Sequence, residues 1–546
     1  MIKLSTRRAS SARPRKQEQA GERIRSQSAV DNRGAFARPV GQSLRVAVAG
    51  LVVALTQAGC AVGPDFKDPN APAVSNYLPG SQERSRIAAD GVTQQSIAKG
   101  GDVAGQWWAL FKSRHLNGLV EKGLAFNADL QAAEAAVRVA QANALAQRGA
   151  LFPTVNGNYN LTSQKFATQS TTTNAASGSS YLTLHTLQLS VAYVVDVFGG
   201  TRRLIEAADA QAEVAGFQRE AVFLTLTSNI VAAAIQEASL RGQIDATKRL
   251  IKIQSEVLAI LRTQERLGQI ALPDVLVQET ALAQTKLLLP PLDKALAQQR
   301  HLIAVLTGGF PSEDVAGTFQ IKSFRLPRKL PLSLTADLVR QRPDIRAAEA
   351  AVHATNAQVG VAIANRLPQI TLTANAGSSA AESLGKLFTT GTAFWLLGTN
   401  AAQTLFDGRT LENRQKAAEE TLTQSMAQYR STVLVAFQNV ADVLSALQAD
   451  ARALSAAIDA ELSAQRNIEL IRAQVEQGQV SVTILLAAQQ AYLNTSLARV
   501  QAEAARLADT VALFQALGGG WWNRQAPAPE LKPEVKTAAA DAGKAR

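Results

Sequence analysis

The chain has 546 residues and a formal net charge of +12, and 47% of its residues are hydrophobic. The basic excess lies mostly at the start: residues 1–59 hold eleven Lys/Arg and three Asp/Glu, a net of +8, which leaves +4 for the remainder. The body is therefore not predicted to bind nucleic acid. Because Cys60 is the only cysteine and the four histidines are scattered, the composition also excludes a disulfide framework and a thiolate metal site.

The N-terminal stretch has the pattern of a secretory leader. Residues 44–58 form a short apolar run after a basic segment, too short to span a membrane as a mature helix. Cys60 follows immediately after Ala58 and Gly59. We predict that residues 1–59 are removed and that Cys60 is lipidated; the alternative is ordinary signal cleavage beside an incidental cysteine. Residues 60–105 are rich in proline and are predicted to be an extended N-terminal segment.

The first folded elements are a helical region and a β-hairpin. Apolar residues recur at helical spacing over residues 116–150, and the period changes to two at Leu151. Between residues 151 and 198, two alternating runs flank a polar stretch, which predicts a hairpin with one apolar and one polar face. Such a hairpin fits a transmembrane barrel segment. A soluble sheet packed on a core would show the same alternation.

A very long helix follows the hairpin. Residues 201–267 contain no proline and carry apolar residues at helical steps, so they predict one helix of about 65 residues, roughly 100 Å long. Gly268 and Pro273 mark a turn into the next helix, which extends to about residue 307. Pro290 and Pro291 predict a kink in that helix.

The same order of elements then recurs. The segment Asp129–Val137 is similar to Asp344–Val352, 215 residues later, and Pro153 corresponds to Pro368 at the same offset. We infer a tandem duplication. The predicted parts are a first repeat at 106–320 with its hairpin at 151–198, a second repeat at 321–522 with its hairpin at 367–406, and a disordered tail at 523–546.

Four membrane-type strands per chain predict an oligomer. Bacterial outer-membrane barrels use eight or more strands, and an open sheet edge is not tolerated in lipid. The barrel must therefore be assembled from several copies of the chain. The long Ala-rich helices, whose small side chains allow close packing, would continue it as a tube.

These motifs resemble one known family. They are Ala58-Gly59-Cys60 with Pro64-Asp65-Phe66, Trp107-Trp108, Arg342-Pro343-Asp344-Ile345-Arg346-Ala347-Ala348-Glu349, Leu405-Phe406-Asp407-Gly408-Arg409, and Leu517-Gly518-Gly519-Gly520-Trp521. Together and in this order, they resemble the TolC-like outer-membrane efflux proteins, and the OprM/NodT-type lipoproteins most of all.

The resemblance implies a mostly α-helical homotrimer. Three chains would form one twelve-stranded β-barrel in the outer membrane and one α-helical tunnel in the periplasm. The tunnel would receive drugs or other small molecules from a periplasmic adaptor and an inner-membrane transporter of the resistance-nodulation-division (RND) class. An exit duct for type I protein secretion is the alternative within the same fold. The tips that contact the adaptor would be Leu267, Gly268 and Gln269 in the first half and Gln477, Gly478 and Gln479 in the second.

Several charged and aromatic residues admit a functional and a structural interpretation. Family members often place Asp side chains near the closed tip, where a negative ring favours cations. Asp274 and Glu476 are the nearest acids here, and for them we favour solvated charges at helix ends over an aperture role. For Arg342, Asp344 and Glu349 we favour capping or ion pairing. For Trp521 and Trp522 we favour packing on the periplasmic domain over membrane anchoring.

Two further classes of protein are alternatives to a channel. A soluble periplasmic coiled-coil scaffold would have the long helices without the barrel, and it would be extracted without detergent. An enzyme is disfavoured, since the sequence contains no His/Cys cluster, nucleophile elbow or Gly-rich phosphate loop. We predict no catalytic residue, cofactor or metal.

Overall fold

The computed structural model describes residues 61–70, 72–74, 76–78, 86–87, 93–165, 181–313, 317–381 and 383–524. The predicted leader and Cys60 lie outside these residues, as does nearly all of the predicted tail. The helices are α1 Arg114–Phe126, α2 Ala128–Arg148, α3 Gly200–Arg266, α4 Leu272–Lys286, α5 Leu289–Leu306, α6 Thr335–Gln341, α7 Pro343–Ala364, α8 Thr410–Glu476 and α9 Val482–Ala516. The strands are β1 Arg86–Ile87, β2 Gln95–Lys99, β3 Thr154–Lys165, β4 Tyr181–Val195, β5 Lys329–Leu332, β6 Gln369–Ala381 and β7 Ala393–Ala402.

The helical region predicted at 116–150 is two helices, because the chain turns at Asn127. This residue has an extended backbone, and its side chain accepts a hydrogen bond from the N–H of Leu130 (3.0 Å), which caps α2. Its Nδ2 donates to the carbonyl of Leu306 (3.1 Å), so the same side chain ties the turn to the end of α5. The apolar period continues across the break, which is why the sequence did not reveal it.

The four long strands form one antiparallel sheet in the order β3-β4-β6-β7. Both predicted hairpins are present, and β4 joins them by pairing with β6, from Leu184 opposite Ala381 to Val195 opposite Ile370. The second hairpin, predicted to end at residue 406, ends earlier: its last strand, β7, ends at Ala402. Phe406 is instead 91% exposed before α8.

A second, three-stranded sheet was not predicted. Its order is β1-β2-β5, and β2 runs parallel to β5, with Ser96 opposite Lys329. This pairing joins the N-terminal segment to the connection between the two halves of the chain. Strands of two to five residues give almost no periodic signal, so only the tertiary contact identifies them.

The two long helices match the prediction closely. Helices α3 and α8 have 67 residues each, which corresponds to about 100 Å. Each contains an 18-residue window that is apolar enough to cross a membrane by composition; 56% of the window in α3 and 28% of that in α8 is buried within the chain. The predicted kink is a full interruption between α4 and α5, since Pro290 and Pro291 supply no N–H for the helix ladder.

Helix α3 is the centre of the packing. It contacts α2 and α7 over one part of its length and α5, α4 and α9 over the rest, while α8 contacts α7 and α9. The main core lies where the second sheet meets the middle of α3 and the end of α9. There Trp107 stacks on Phe514 with ring centroids 5.3 Å apart, and both side chains are fully buried.

Candidate functional site

Both predicted tips are helix-to-helix turns of the same geometry. At the first, the N–H of Gly268 donates to the carbonyl of Glu265 (2.8 Å), and that of Gln269 donates to Gln264 (2.9 Å). At the second, Gly478 donates to Val475 (3.0 Å) and Gln479 to Gln474 (2.9 Å). These paired bonds define a Schellman cap, which satisfies the last carbonyls of α3 and α8.

The glycines at the tips are required by backbone conformation. Gly268 has φ +71° and Gly478 has φ +70°, in the left-handed region that L-residues with a Cβ disfavour. A Cβ at either position would meet no atom within 4 Å, so there is no steric demand beyond the backbone. The turns therefore project freely, and Leu267 is 68% exposed.

The fold brings the two tips together. Nε2 of Gln264 donates to the carbonyl of Glu476 (3.4 Å), and Arg472 contacts both Glu256 on α3 and Glu476 on α8, each at 3.1 Å. A shared apolar cluster lies behind the turns; its buried members are Val257, Leu258, Leu261, Val275, Leu282, Val475, Val482 and Leu485.

The two predicted aperture acids have different settings. Glu476 forms an i,i+4 ion pair with Arg472, which also pairs with Glu256, so one cation is shared by two carboxylates. Asp274 lies in the first turn of α4, after Pro273, where the helix dipole stabilises a carboxylate. A role for either in an aperture stays a prediction.

The sequence did not reveal a buried amide cluster above the tips. Nε2 of Gln254 on α3 donates to Oε1 of Gln489 on α9 (3.1 Å), and Nε2 of Gln278 on α4 donates to the carbonyl of Gln254 (3.3 Å). All three side chains are at most 3% exposed. Buried polar contacts of this kind set helix register in coiled coils. Glutamines at surface-like spacing give no sequence signal of burial.

The four-stranded sheet has two chemically distinct faces. Its register places Asn156 beside Ser190 and Asn375, and Asn158 beside Gln188 and Gly377. The opposite face is apolar over most of its height; its rows are Val155-Val191-Ala374-Leu397, Gly157-Leu189-Ala376-Trp395 and Tyr159-Leu187-Ser378-Ala393. Large side chains on this apolar face remain exposed, among them Leu189 (58%), Leu397 (70%) and Trp395 (76%). In the part of the chain that the structure describes, large areas of the sheet are therefore uncovered.

The segment just after Cys60 is held at the junction of β4 and α3. The N–H of Val62 donates to the carbonyl of Phe198 (3.0 Å). Arg203, buried on α3, donates from Nε to the carbonyl of Val62 (3.2 Å) and from Nη2 to Asp65 (2.6 Å). Gly63 lies so close to Gly360 that a Cβ would be 2.6 Å from its Cα.

Of the residues assigned a structural role, Arg342 and the tryptophans form defined contacts. Arg342 pairs bidentately with Asp344 (2.7 and 3.0 Å) and donates to the carbonyl of Ala516 at the end of α9 (2.9 Å). Trp521 donates to the carbonyl of Gln341 (2.7 Å), and Trp522 donates to Asp102 (2.9 Å). In the described part of the chain, no group of three or more His, Cys, Asp or Glu side chains is arranged to hold a metal ion.

Comparison with known proteins identifies the family. A model of the outer membrane efflux protein family matches residues 119–309 and 334–519. The chain belongs to this family. Its fold is that of an outer-membrane channel, which is a transport conduit, and its place is the outer membrane.

Individual relatives agree with this assignment. The toluene efflux pump outer membrane protein TtgC of Pseudomonas putida is 28% identical over 475 residues, which cover 87% of this chain and 95% of that protein. The pyoverdine export outer membrane protein OpmQ of Pseudomonas aeruginosa is 29% identical over 421 residues, covering 76% and 87%. The solved structure of the outer-membrane channel OprN superposes with a TM-score of 0.76 at 26% identity, covering 85% of this chain and all of that one.

Proposed function

We propose that this outer membrane efflux protein is the channel subunit of a tripartite efflux pump, conducting drugs or other small molecules to the cell exterior. One observation carries the proposal: a sheet with an uncovered apolar face and a polar opposite face continues directly into two helices of 67 residues. The sheet suits a lipid-spanning wall, and the helices suit a conduit of about 100 Å below it.

The working unit is a homotrimer. Strands β3 and β7 end the four-stranded sheet and need partners in lipid. Three copies joined edge to edge supply twelve strands, enough for a barrel. The same closure would cover the apolar side chains exposed on the outermost helices, which are Val139 and Leu145 on α2, Leu302 and Val305 on α5, and Leu434, Val435, Leu462 and Leu470 on α8.

Transport is conduction and makes or breaks no bond in this subunit. The tips at Leu267–Gln269 and Gln477–Gln479 contact a periplasmic adaptor, and an RND transporter of the inner membrane supplies energy. The tip is closed at rest and dilates in the assembled pump. The paired Schellman turns support this role because they present exposed backbone and side chains at one end of the molecule.

The cargo is a small molecule. TtgC is named for toluene efflux and OpmQ for pyoverdine export, two chemically unlike small molecules. The uncharged amide groups of Asn156, Asn158, Gln188 and Asn375 and the hydroxyl of Ser190 line the polar face of the sheet. Such a wall would pass unlike solutes without selecting for charge.

The parts of the chain are assigned accordingly. Residues 1–59 are the leader, Cys60 carries the lipid, 60–105 form the N-terminal segment, 106–320 and 321–522 are the two repeats, and 523–546 are the tail. The bond from Val62 to Phe198 supports a lipid at Cys60, since it holds the following residues beside the end of a membrane strand.

The test is reconstitution of the full-length chain. Purified in detergent, it should appear as a trimer by native mass spectrometry, dissociate on heating in SDS, and form ion-conducting pores in planar bilayers. The Cys60→Ala variant is the matched control: it should still form trimers and pores, because the lipid contributes no strand. A water-soluble monomer without conductance would overturn the proposal.

A further inference from the structure

The apolar face of the four-stranded sheet changes character at one row. From Val195 beside Ile370 up to Leu161, this face is dominated by apolar residues. Beyond the row of Leu161, His185 and Ala380 it becomes polar, with Ser163 beside Thr183 and Lys165 beside Tyr181. The change falls at the loop end of the first hairpin, far from the long helices.

The height of the apolar band fits a membrane. Val195 and His185 are ten residues apart on β4. At about 3.4 Å per residue this is about 34 Å along the strand. A strand tilt of about 40° reduces it to roughly 26 Å, close to the approximately 25 Å apolar band of outer-membrane barrels. His185 therefore lies at the lower edge of the outer-leaflet headgroups if Val195 lies at the periplasmic surface. Lys165, opposite Tyr181 and four residues further along the hairpin, lies about 10 Å higher, within the headgroup layer.

The polar and aromatic side chains between the top of the apolar band and the end of the hairpin form what we call the rim: Tyr159, Lys165, Tyr181 and His185. Tyr159 Oη lies 2.9 Å from Nδ1 of His185, and Nζ of Lys165 lies 5.2 Å from the centroid of the Tyr181 ring. Tyr159 is 52% exposed and Tyr181 is 63% exposed. Aromatic rings with a polar tip and cations on flexible stems are the side chains that favour the membrane interface.

The positive charge of the rim is not balanced on its own hairpin. Between Thr154 and Val195 the sequence contains Lys165 and His185 but no Asp or Glu. Glu382, directly after β6, is the nearest acid in the sequence of the neighbouring strand. A cation at headgroup level with no carboxylate on its own hairpin attracts anionic lipid.

A neighbouring segment adds apolar contact beside the rim. Ser378, opposite Leu187 on the apolar face, donates from its hydroxyl to the carbonyl of Leu387. This bond holds the short 3-10 helix Leu384–Phe388 against the face. Leu387 is buried in this arrangement. Phe388 is 80% exposed and can insert among the lipid acyl chains.

We propose that the rim binds the phosphate of anionic lipid headgroups in the outer leaflet, with Lys165 as the main contact and His185, held by Tyr159, as a second contact four residues lower on the hairpin. This inference rests on the proposed barrel. The occupant is a membrane lipid rather than free phosphate, because the rim stands at the upper end of an exposed apolar band that lipid chains must cover.

The test compares lipid retention by the delipidated full-length trimer in mixed micelles. The probes are phosphatidylglycerol and phosphatidylcholine with identical acyl chains, counted by native mass spectrometry. The unmodified protein should retain the anionic lipid preferentially. Lys165→Gln should weaken that preference about five-fold, the usual contribution of one basic residue near an anionic surface. Adding His185→Gln should weaken it further, and high salt should weaken it in the unmodified protein.

Two variants serve as controls. Lys252→Gln removes the same charge from an exposed position on α3 and should leave the preference unchanged. Lys165→Arg keeps the positive charge and should keep the preference for the anionic lipid, which separates an effect of charge from an effect on folding. Equal retention of the two lipids by the unmodified protein would overturn the proposal that the rim binds anionic lipid. An undiminished preference in the Lys165→Gln/His185→Gln variant would overturn it as well. Pore conductance measured on the same samples tests the channel separately, so a conducting protein without lipid preference refutes only this inference.

Discussion

The backbone N–H of Val62 donates to the carbonyl of Phe198 over 3.0 Å, which joins the start of the N-terminal segment to the end of a long strand. Arg203 reinforces the joint through Val62 and Asp65. Gly63 and Gly360 permit the close approach, since neither carries a Cβ. The chain two residues after Cys60 is thus fixed where the sheet gives way to the helices.

This placement makes the lipid anchor testable. We expect Cys60→Ala to abolish metabolic labelling with palmitate, because Cys60 is the only thiol in the chain. The variant should remain in the outer membrane, since the strands span it independently of one acyl chain. Persistent acyl labelling of Cys60→Ala would show that the anchor lies elsewhere.

The tip glycines provide a second prediction. Gly268→Ala and Gly478→Ala should each cost about 1 kcal/mol, because alanine in the left-handed region is strained. The loss should appear as faster hydrogen exchange at the N–H groups of Gln269 and Gln479. Gly118→Ala is the control: this exposed glycine lies inside α1 at negative φ, so alanine should stabilise the helix. Unchanged exchange at the tips would show that the turns tolerate a Cβ.

A third prediction concerns an acid pair between α8 and α9. Burial raises the pKa of Asp450 to about 7. The hydrogen bond with Asp509 and the negative charge of Asp509 also raise it, whereas the positive charge of Arg506 lowers it. Arg506 cannot neutralise the pair fully, because its Nε and Nη2 are committed to Gln95 and its Nη1 has no hydrogen-bond partner.

The sign of the pH effect follows from the raised pKa. The folded protein keeps a proton on Asp450 that the unfolded chain releases near the ordinary pKa of 3.8. The contribution of this proton to the free energy of unfolding is therefore complete below pH 3.8 and is lost as the pH rises to about 7. We expect the melting temperature to fall between pH 4 and pH 7 relative to Asp450→Asn. Asp442→Asn, at an exposed site on α8, should track the unmodified protein. If the melting temperatures of all three proteins changed with pH in parallel, Asp450 would not keep a proton in the folded state.

A fourth prediction separates structure from transport at Arg342. This side chain is 8% exposed and joins Asp344 to the end of α9. Arg342→Ala should destabilise the protein by about 2 kcal/mol, since it leaves the buried carbonyl of Ala516 without its donor. Arg340→Ala, at an exposed position nearby, should have little effect in the same thermal melt. A stable Arg342→Ala variant with lost conductance would instead assign Arg342 to transport.

The long elements of the fold were predictable because their signals repeat many times. The ends of α3 were placed within one residue, since a proline-free apolar period ends at Gly268. The break at Asn127 and the pairing of β2 with β5 were not, because one capping side chain and a five-residue strand have no periodicity. The turns at Gly268 and Gly478 could be located from glycine alone. The buried contact of Gln254 with Gln489 could not, since both residues have the spacing of ordinary surface glutamines.

The sequence by itself determined the order of the long helices and of the four long strands, the length of α3 and α8, the two-faced character of the sheet and the positions of the two glycine turns, because each depends on local periodicity or on the backbone freedom of glycine. Only the tertiary structure decided that β4 pairs with β6, that the two tips lie side by side, and that Val62 meets Phe198. Those contacts join residues far apart in the chain, and their free energy comes from packing and hydrogen bonding that no local pattern encodes.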